Sequence, residues 1–172
     1  MREHYERWWT GIEPRLDQLV ASHLGSDAEE TTLLCCSEWQ DVRCDGQPSV
    51  RNAAGGPRGG PWNVIVERAG SYSIELRRWP ADADAPLRAG LPEFRAAKGT
   101  LDPGKALPIA AAHLSLAGQV FDRATEVNDK AAIFNVNLPR GRTQLHGWFR
   151  DKAGQDICGA YFAYVTRAGK RP

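Results

Sequence analysis

Residues 99–105 match the G-x-x-x-x-G-K spacing of a phosphate-binding loop. Such a loop continues with Ser or Thr, which holds magnesium, and then runs into a helix. Here Ala106 takes the place of the hydroxyl residue, and Leu107-Pro108 does not open the required helix. The second glycine of the match is explained by a tight turn at residues 102–104. We therefore reject nucleotide binding at this stretch.

The acidic residues and histidines give no metal-ligand pattern. Asp82 and Asp84 have the D-x-D spacing of a calcium loop, but the later ligands, including the closing Glu, are missing. A solvated turn explains them better. The sequence contains neither a C-x-x-C nor an H-x-x-x-H pair, and this argues against zinc. We predict no metal site and no cofactor in this chain.

A Ser-His-Asp site cannot be judged from spacing, because its members assemble in three dimensions. The sequence has no G-x-S-x-G nucleophile turn. An independent hydrolase would therefore need a pocket in which His113 or His146 is hydrogen-bonded to a serine or a carboxylate.

Two tryptophans fall on strand faces that otherwise look polar. In residues 71–79, Trp79 shares a face with Arg77, and in residues 143–150, Trp148 shares a face with Arg150. Flat aromatic rings stack on sugars, and arginines suit anionic groups such as sulfate. These four residues are our candidate glycan-binding set. The alternative is that a second layer of the protein covers the two tryptophans, while Trp39 and Trp62 are simply core or sheet-edge residues.

A heavy apolar stripe lies near the start of the sequence. Its members recur every three or four residues, which places them on one face of a helix. Such a stripe needs a surface to bury against, supplied by this chain or by a partner. We single out four of its members as candidate partner-docking residues: Tyr5, Trp8, Trp9 and Ile12.

Composition limits the class of protein. The net charge is only +1 over 172 residues, which is too small to attract nucleic acid or an anionic membrane strongly. We therefore expect neither partner. No segment approaches the roughly 18 apolar residues of a membrane span, and the first residues have no signal-peptide core, which leaves localisation open. Cys35, Cys36, Cys44 and Cys158 allow three disulfide pairings, and buried reduced thiols are the simpler interpretation.

The remaining pattern predicts a mainly β protein. Short β-rich runs separated by turns favour an antiparallel β-sandwich with a short N-terminal helix. We expect a hairpin between residues 62–68 and 71–79, because only Ala69-Gly70 separates them. Residues 80–107 are predicted to form a surface excursion. The other expected strands are 31–39, 109–116, 132–138, 143–151 and 156–167, with a short one at 119–121.

Several blocks of the sequence, in order, resemble the C-terminal β-rich region of bacterial arylsulfatases, which belong to the alkaline-phosphatase-like sulfatase superfamily. The blocks cover most of the chain, with weak agreement at 41–60 and 81–101. They read HYERWWTGIEPRL, TLLCCSEW, GGPWNVIVERAGSYSIELRRWP, GKALPIAAAHLSLAG and LHGWFRDKAGQDICGAYFAYV. The resemblance implies that residues 1–24 correspond to the end of the catalytic domain and residues 25–172 to a β-sandwich accessory domain.

The sulfatase nucleophile lies in a C-x-P-S-R motif, in which Cys or Ser becomes formylglycine. Here Cys44 stands four residues before Pro48, and Val50 separates Ser49 from Arg51. No catalytic residue carries over, and formylglycine and calcium would belong to a catalytic domain absent from this chain. Full-length relatives are often exported.

The resemblance therefore implies a non-catalytic accessory domain or fragment that buttresses a sulfatase catalytic domain, in cis or in trans. The alternative is a stand-alone module that binds sulfated or neutral glycans.

Overall fold

The computed structural model describes residues 1–16, 19–40, 42–44 and 46–169. Residues 17–18 of the predicted N-terminal segment 1–24, and residues 41, 45 and 170–172 of the predicted sandwich domain 25–172, lie outside the described residues. The helices are α1 (Arg2–Ile12) and α2 (Gln47–Asn52). The strands are β1 (Ser22–Leu24), β2 (Thr31–Cys35), β3 (Trp62–Val66), β4 (Gly70–Arg77), β5 (Phe94–Arg95), β6 (Thr100–Leu101), β7 (Ala111–Leu116), β8 (Gln119–Ala124), β9 (Ala132–Leu138), β10 (Gly141–Arg150), β11 (Asp156–Gly159) and β12 (Phe162–Arg167).

The strands form a sandwich of two sheets. The six-stranded sheet has the order β1-β3-β10-β7-β8, with β11 paired to β10, and the four-stranded sheet has the order β2-β12-β4-β9. All pairs are antiparallel except β1 with β3. Strands β5 and β6 form a separate small hairpin. The predicted fold class, mainly β with a sandwich and a short N-terminal helix, is confirmed.

Alternation along the strands builds the core between the sheets. In β4 the buried residues are Tyr72, Ile74 and Leu76, and in β10 they are Leu145, Gly147 and Phe149. Because successive side chains of a strand point to opposite faces, the residues between them lie on the outer faces of the sheets. The predicted inward set of these strands is therefore confirmed.

The predicted hairpin between residues 62–68 and 71–79 is wrong. Strand β3 belongs to the six-stranded sheet and β4 to the four-stranded sheet, so the turn at residues 67–69 crosses between the sheets. The Glu67 backbone N–H donates to the Leu24 carbonyl, which prolongs the contact with β1 before the crossing. A two-residue gap between β-rich runs therefore does not distinguish a hairpin from a corner of a sandwich.

The predicted single strand at 156–167 is also divided between the sheets. Strand β11 pairs with β10, whereas β12 pairs with β2 and β4. The Ala160 N–H donates to the Gly147 carbonyl at 2.9 Å, and the Tyr161 carbonyl accepts from the Cys36 N–H at 2.8 Å. Residues 160–161 therefore carry the chain from one sheet to the other.

Two buried arginines hold the excursion of residues 80–107 against the sandwich. Arg78 is fully buried, and its guanidinium donates to four backbone carbonyls: Leu87 (3.4 Å), Ala89 (2.9 Å), Arg51 (3.0 Å) and Lys105 (2.7 Å). The Arg51 side chain donates to the carbonyls of Asp102 at 2.7 Å and Pro92 at 2.5 Å. Burial lowers the pKa of Arg78.

Helix α1 lies before the sandwich in the chain and buries none of its residues. A 3₁₀ helix at Glu13–Arg15 follows it, with Pro14 in its first turn. Strand β1 then joins the six-stranded sheet and buries Leu24 completely. The last three residues of the predicted N-terminal segment 1–24 therefore pair with the six-stranded sheet.

Candidate functional site

The four candidate glycan-binding residues lie in two different sheets. Arg77 ends β4 and Trp79 follows it, whereas Trp148 and Arg150 lie on β10. Strand β4 belongs to the four-stranded sheet and β10 to the six-stranded sheet. The predicted set is therefore not one platform.

The prediction that Trp79 faces solvent is wrong. Its side chain is 3% exposed, its indole N–H donates to the Ala89 carbonyl at 3.0 Å, and the Arg78 guanidinium lies 4.4 Å from its ring centroid. Strand β4 ends at Arg77, so the alternation that placed Trp79 on a polar face does not continue to it. The excursion of residues 80–107 covers Trp79. For this tryptophan, the alternative given in the sequence analysis, burial under a second layer, is therefore the correct one.

Arg77 remains on the outer side of the four-stranded sheet, where its charge is already paired. Its guanidinium contacts the Glu75 carboxylate at 2.8 Å and lies 5.7 Å from the Tyr164 ring centroid. The Arg77 side chain is 17% exposed. A sulfate group would therefore have to compete with Glu75 for this cation.

Trp148 and Arg150 lie on what we call the outer face, the solvent side of the six-stranded sheet. The strand pairing adds neighbours that the sequence could not place, because Trp148 is paired with His113, His113 with Asp122, and Arg150 with Asp156. Six neighbouring side chains on the outer face are His113, Asp122, His146, Trp148, Arg150 and Asp156.

Charged side chains on the outer face form a closed network around Arg150. Arg150 Nε donates to the Asp156 carboxylate at 2.8 Å, and Nη1 lies 3.3 Å from the Asp122 carboxylate. His113 Nδ1 is 2.8 Å from the same Asp122 oxygen and 3.1 Å from Arg150 Nη1. Arg150 is thus paired with two carboxylates, and His113 contacts both Arg150 and Asp122, which holds the four side chains together on the sheet.

Trp148 and His146 form the aromatic part of the outer face. The Trp148 indole N–H donates to His146 Nε2, and the two rings are nearly perpendicular, with centroids 5.4 Å apart. Burial lowers the pKa of His146, and the neighbouring His113 acts in the same direction. Both effects favour the neutral imidazole that accepts the indole hydrogen bond. A Cβ built on Gly59 would lie 2.7 Å from the Trp148 ring, so the backbone at Gly59 covers part of this indole.

The outer face contains one of the hydrogen bonds that an independent hydrolase would use. His113 is hydrogen-bonded to the Asp122 carboxylate, as an independent hydrolase would require. Within the described ranges, however, no serine or threonine hydroxyl is hydrogen-bonded to His113 or His146. The outer face therefore presents a histidine that is oriented by a carboxylate.

Three of the four candidate docking residues form a second surface, the N-terminal aromatic cluster, which consists of Tyr5, Trp8 and Trp9. Tyr5 is 53% exposed and Trp8 is 51% exposed, while Trp9 and Ile12 are half-buried. The three rings contact one another, with centroids 5.8 to 6.3 Å apart. The predicted apolar stripe is therefore present on α1, and much of it is open to solvent.

Neither a metal site nor a membrane-crossing helix is found in the part of the chain that the structure describes. No group of three or more His, Cys, Asp or Glu side chains there is arranged to hold a metal ion. None of its helices has both the length and the apolar character that a membrane crossing requires.

Comparisons with known proteins gave likenesses to solved structures alone. No protein-family model matches the chain, and no curated protein does. Among solved structures, the chain is similar to an exo-beta-1,3-galactanase from Phanerochaete chrysosporium crystallised with galactose, at 12% sequence identity and a TM-score of 0.38. The similarity covers 80% of this chain and 29% of the galactanase chain. The chain thus spans less than a third of the length of that protein.

Proposed function

We propose that this chain is a non-catalytic β-sandwich accessory domain of an arylsulfatase, and that α1 docks it onto the catalytic domain. The observation that carries the proposal is the exposed N-terminal aromatic cluster, whose rings contact one another while no residue of α1 is buried. The sequence resemblance to the C-terminal region of bacterial arylsulfatases supplies the class of partner.

The energetics favour a partner for α1. Burying a large aromatic side chain contributes roughly 1.5–3 kcal/mol, and Tyr5 and Trp8 each leave about half of their surface exposed. An isolated helix of 11 residues is marginal in water, so most of its stability must come from packing. A surface that covers the cluster would therefore stabilise both the helix and the complex.

In this proposal the chain contributes no step of sulfate-ester hydrolysis. The formylglycine nucleophile and the calcium ion belong to the catalytic domain, as the resemblance implies. The sandwich supports that domain, and its paired strands provide a rigid base for the N-terminal arm. In the whole enzyme, the sandwich would also help to shape the substrate cleft of the catalytic domain.

The first experiment is to sequence the DNA upstream of the codon for Met1, in the same frame and in the neighbouring genes. We expect it to encode a sulfatase domain with the C-x-P-S-R motif. A stop codon in frame, with no sulfatase gene nearby, would oppose the proposal.

The second experiment tests docking directly by calorimetry between that catalytic domain and this chain. Trp8→Ala should weaken the complex by about 10-fold or more, as expected for a tryptophan at the centre of an interface. Phe94→Ala is the matched control, because Phe94 is 56% exposed on the small β5–β6 hairpin and lies outside the cluster. Equal affinities for the wild type and Trp8→Ala would argue that α1 is not the docking element.

A second candidate function is glycan binding at the outer face. It is favoured by one observation, which is that Trp148 and Arg150 remain partly exposed side by side on β10. Titration with a sulfated and a neutral oligosaccharide, with Trp148→Ala as the test variant, checks this candidate. Binding that Trp148→Ala abolishes would support it, and binding unchanged by that substitution would remove it.

A further inference from the structure

A cleft of about 430 Å³ lies at the end of the six-stranded sheet where β7 begins and β10 ends. Three segments line it: the excursion with Arg88, the lead into β7 with Pro108 and Ala110, and the turn after β10 with Asp151, Lys152 and Ala153. We call it the Arg88 cleft. It shares no residue with the N-terminal aromatic cluster or with the six side chains of the outer face.

Hydrogen bonds fix the segments on both sides of the cleft. The Ala110 N–H donates to the Arg150 carbonyl at 2.7 Å, which ties the lead into β7 to the end of β10. The Asp151 carboxylate closes the turn, because Oδ1 accepts from the N–H groups of Ala153 at 2.8 Å and Gln155 at 2.9 Å. The walls are therefore in place before a ligand enters, as in most small-molecule sites.

Arg88 is held in place, but its charge has no acidic partner. Six arginines are buried or half-buried in the described ranges. Five of them contact a carboxylate or at least two backbone carbonyls: Arg51, Arg77, Arg78, Arg150 and Arg167. Arg88 makes one such contact, from Nη2 to the Thr125 carbonyl at 2.7 Å. Because burying part of a charge is costly unless it is paired, this guanidinium is incompletely satisfied.

One end of the Arg88 guanidinium is open to solvent. Nε is shielded, and Nη2 is occupied by Thr125. Nη1 makes no hydrogen bond, and it is not among the shielded unpaired atoms of the described residues. Lys152 adds a second cation at the cleft, because it is exposed and has no ion pair within the part of the chain that the structure describes.

Charge and polarity define the class of ligand that fits. The charged residues at the cleft are Arg88, Lys152 and Asp151, so among the described residues the balance is one positive charge. Pro108, Ala110 and Ala153 are at least partly exposed and have apolar side chains. An arginine N–H binds carboxylate and sulfate oxygens through charge-assisted hydrogen bonds.

We propose that the Arg88 cleft binds a small organic monoanion, which is a compact apolar group carrying one carboxylate or sulfate ester. The acid group would accept from Arg88 Nη1 and from the Lys152 ammonium, and the apolar group would lie against the proline and alanines. The volume lies within the ordinary range of small-molecule sites. The site is independent of docking by α1, so either proposal can fail while the other holds.

The first test titrates the full chain, labelled with ¹⁵N, with benzoate, phenyl sulfate and the neutral analogue benzamide. Each is added to about 50 mM at constant ionic strength, which detects dissociation constants in the millimolar range. We expect saturable shifts of the Lys152 and Ala153 backbone N–H signals with at least one of the two anions, and the preferred anion distinguishes a carboxylate site from a sulfate site. Benzamide should bind at least about 10-fold more weakly, because it has the same ring without the charge. No saturable shift with either anion, or an equal affinity for benzamide, would overturn the proposal.

Substitutions at the charged residues then assign the binding to the cleft. Lys152→Gln should weaken it by about 3-fold or more. The matched control is Lys98→Gln, because Lys98 is exposed in the β5–β6 hairpin, away from the cleft, and this change should leave the affinity unaltered. Asp151→Asn keeps the oxygen that closes the turn and removes the charge that repels the anion, so it should strengthen binding by about 3-fold.

Arg88→Met should weaken binding by about 10-fold or more, because it removes the N–H that faces the ligand. If this variant does not give a folded spectrum, the opposite effects at residues 151 and 152 decide. Equal weakening by Lys152→Gln and Lys98→Gln, or an affinity that none of the cleft substitutions changes, would overturn the proposal.

Discussion

The sandwich and α1 use the same residue type in opposite ways. Trp62 in the sandwich is 1% exposed, and its indole N–H is bonded to the Cys35 carbonyl. Trp8 in α1 is 51% exposed, and its ring contacts are with Tyr5 and Trp9. The sandwich therefore finds its packing partners within the chain, whereas α1 presents its aromatic residues to solvent.

This difference indicates which region contributes most of the free energy of folding. A sandwich whose sheets bury a continuous core can unfold as one cooperative unit. A helix that buries no residue contributes little to that unit and can fray independently. Matched substitutions in the two regions should therefore differ widely, and the following predictions use such pairs.

The largest contrast is expected between Trp62→Ala and Trp8→Ala. Removing the buried indole leaves a cavity and an unpaired Cys35 carbonyl, so the free energy of unfolding should fall by about 3–5 kcal/mol. Trp8→Ala should change it by less than about 0.5 kcal/mol, because the side chain is half exposed. Urea denaturation followed by circular dichroism measures both. A comparable loss in the two variants would mean that α1 packs on the sandwich in solution.

A second contrast sets a buried arginine against one in α1. Arg78→Met removes the guanidinium that binds four backbone carbonyls, so we expect a loss of about 3 kcal/mol. It should also open the excursion of residues 80–107 to proteolysis. Arg2→Met deletes a pair with Glu6 whose side chains are 93% and 61% exposed, and should be nearly neutral. If Arg78→Met left both stability and the proteolysis pattern unchanged, the excursion would be held by other contacts.

Sequence patterns predicted the parts of the fold that depend on local periodicity. The inward residues Ile74, Leu76, Leu145 and Phe149 followed from alternation within single strands. What the sequence could not supply is the sheet to which each strand belongs. The turn at residues 67–69 crosses between sheets although its length suits a hairpin, because sheet membership depends on long-range pairing.

The same limit applies to the candidate sites. Alternation correctly placed Trp148 and Arg150 on one face of β10, but His113, Asp122 and Asp156 joined them only through cross-strand register.

A third contrast uses two glycines and predicts effects of opposite sign. A Cβ on Gly147 would lie 2.9 Å from the Leu76 methyl groups inside the core, so Gly147→Ala should destabilise the sandwich by about 1–3 kcal/mol. A Cβ on Gly11 in α1 meets nothing within 4 Å, so Gly11→Ala should favour the helix by about 0.5–1 kcal/mol. Urea denaturation measures the first effect, and helical circular dichroism of the folded chain measures the second. A neutral Gly147→Ala would show that the core yields more readily than its packing indicates.

The smallest effect is a pH dependence that belongs to the sandwich, where the four cysteines lie. Burial raises the pKa of the Cys36 and Cys158 thiols from 9.0 to about 12. The unfolded thiols ionise first as the pH rises, so their contribution is complete below pH 9 and is lost progressively between about pH 9 and 12. At pH 10 the loss should be about 1 kcal/mol for each thiol, relative to pH 8.

Urea denaturation at pH 8, 9 and 10 under reducing conditions measures this slope. Cys36→Ala and Cys158→Ala should each reduce it, whatever they do to stability at pH 8. Ser37→Ala is the matched control, because its exposed hydroxyl does not ionise in this range. Burial also raises the pKa of Tyr161 and Tyr72, and this steepens the loss at still higher pH with the same sign. If both cysteine variants kept the wild-type slope, the two thiols would be accessible to water in solution, and the contrast between a closed sandwich and an open α1 would weaken.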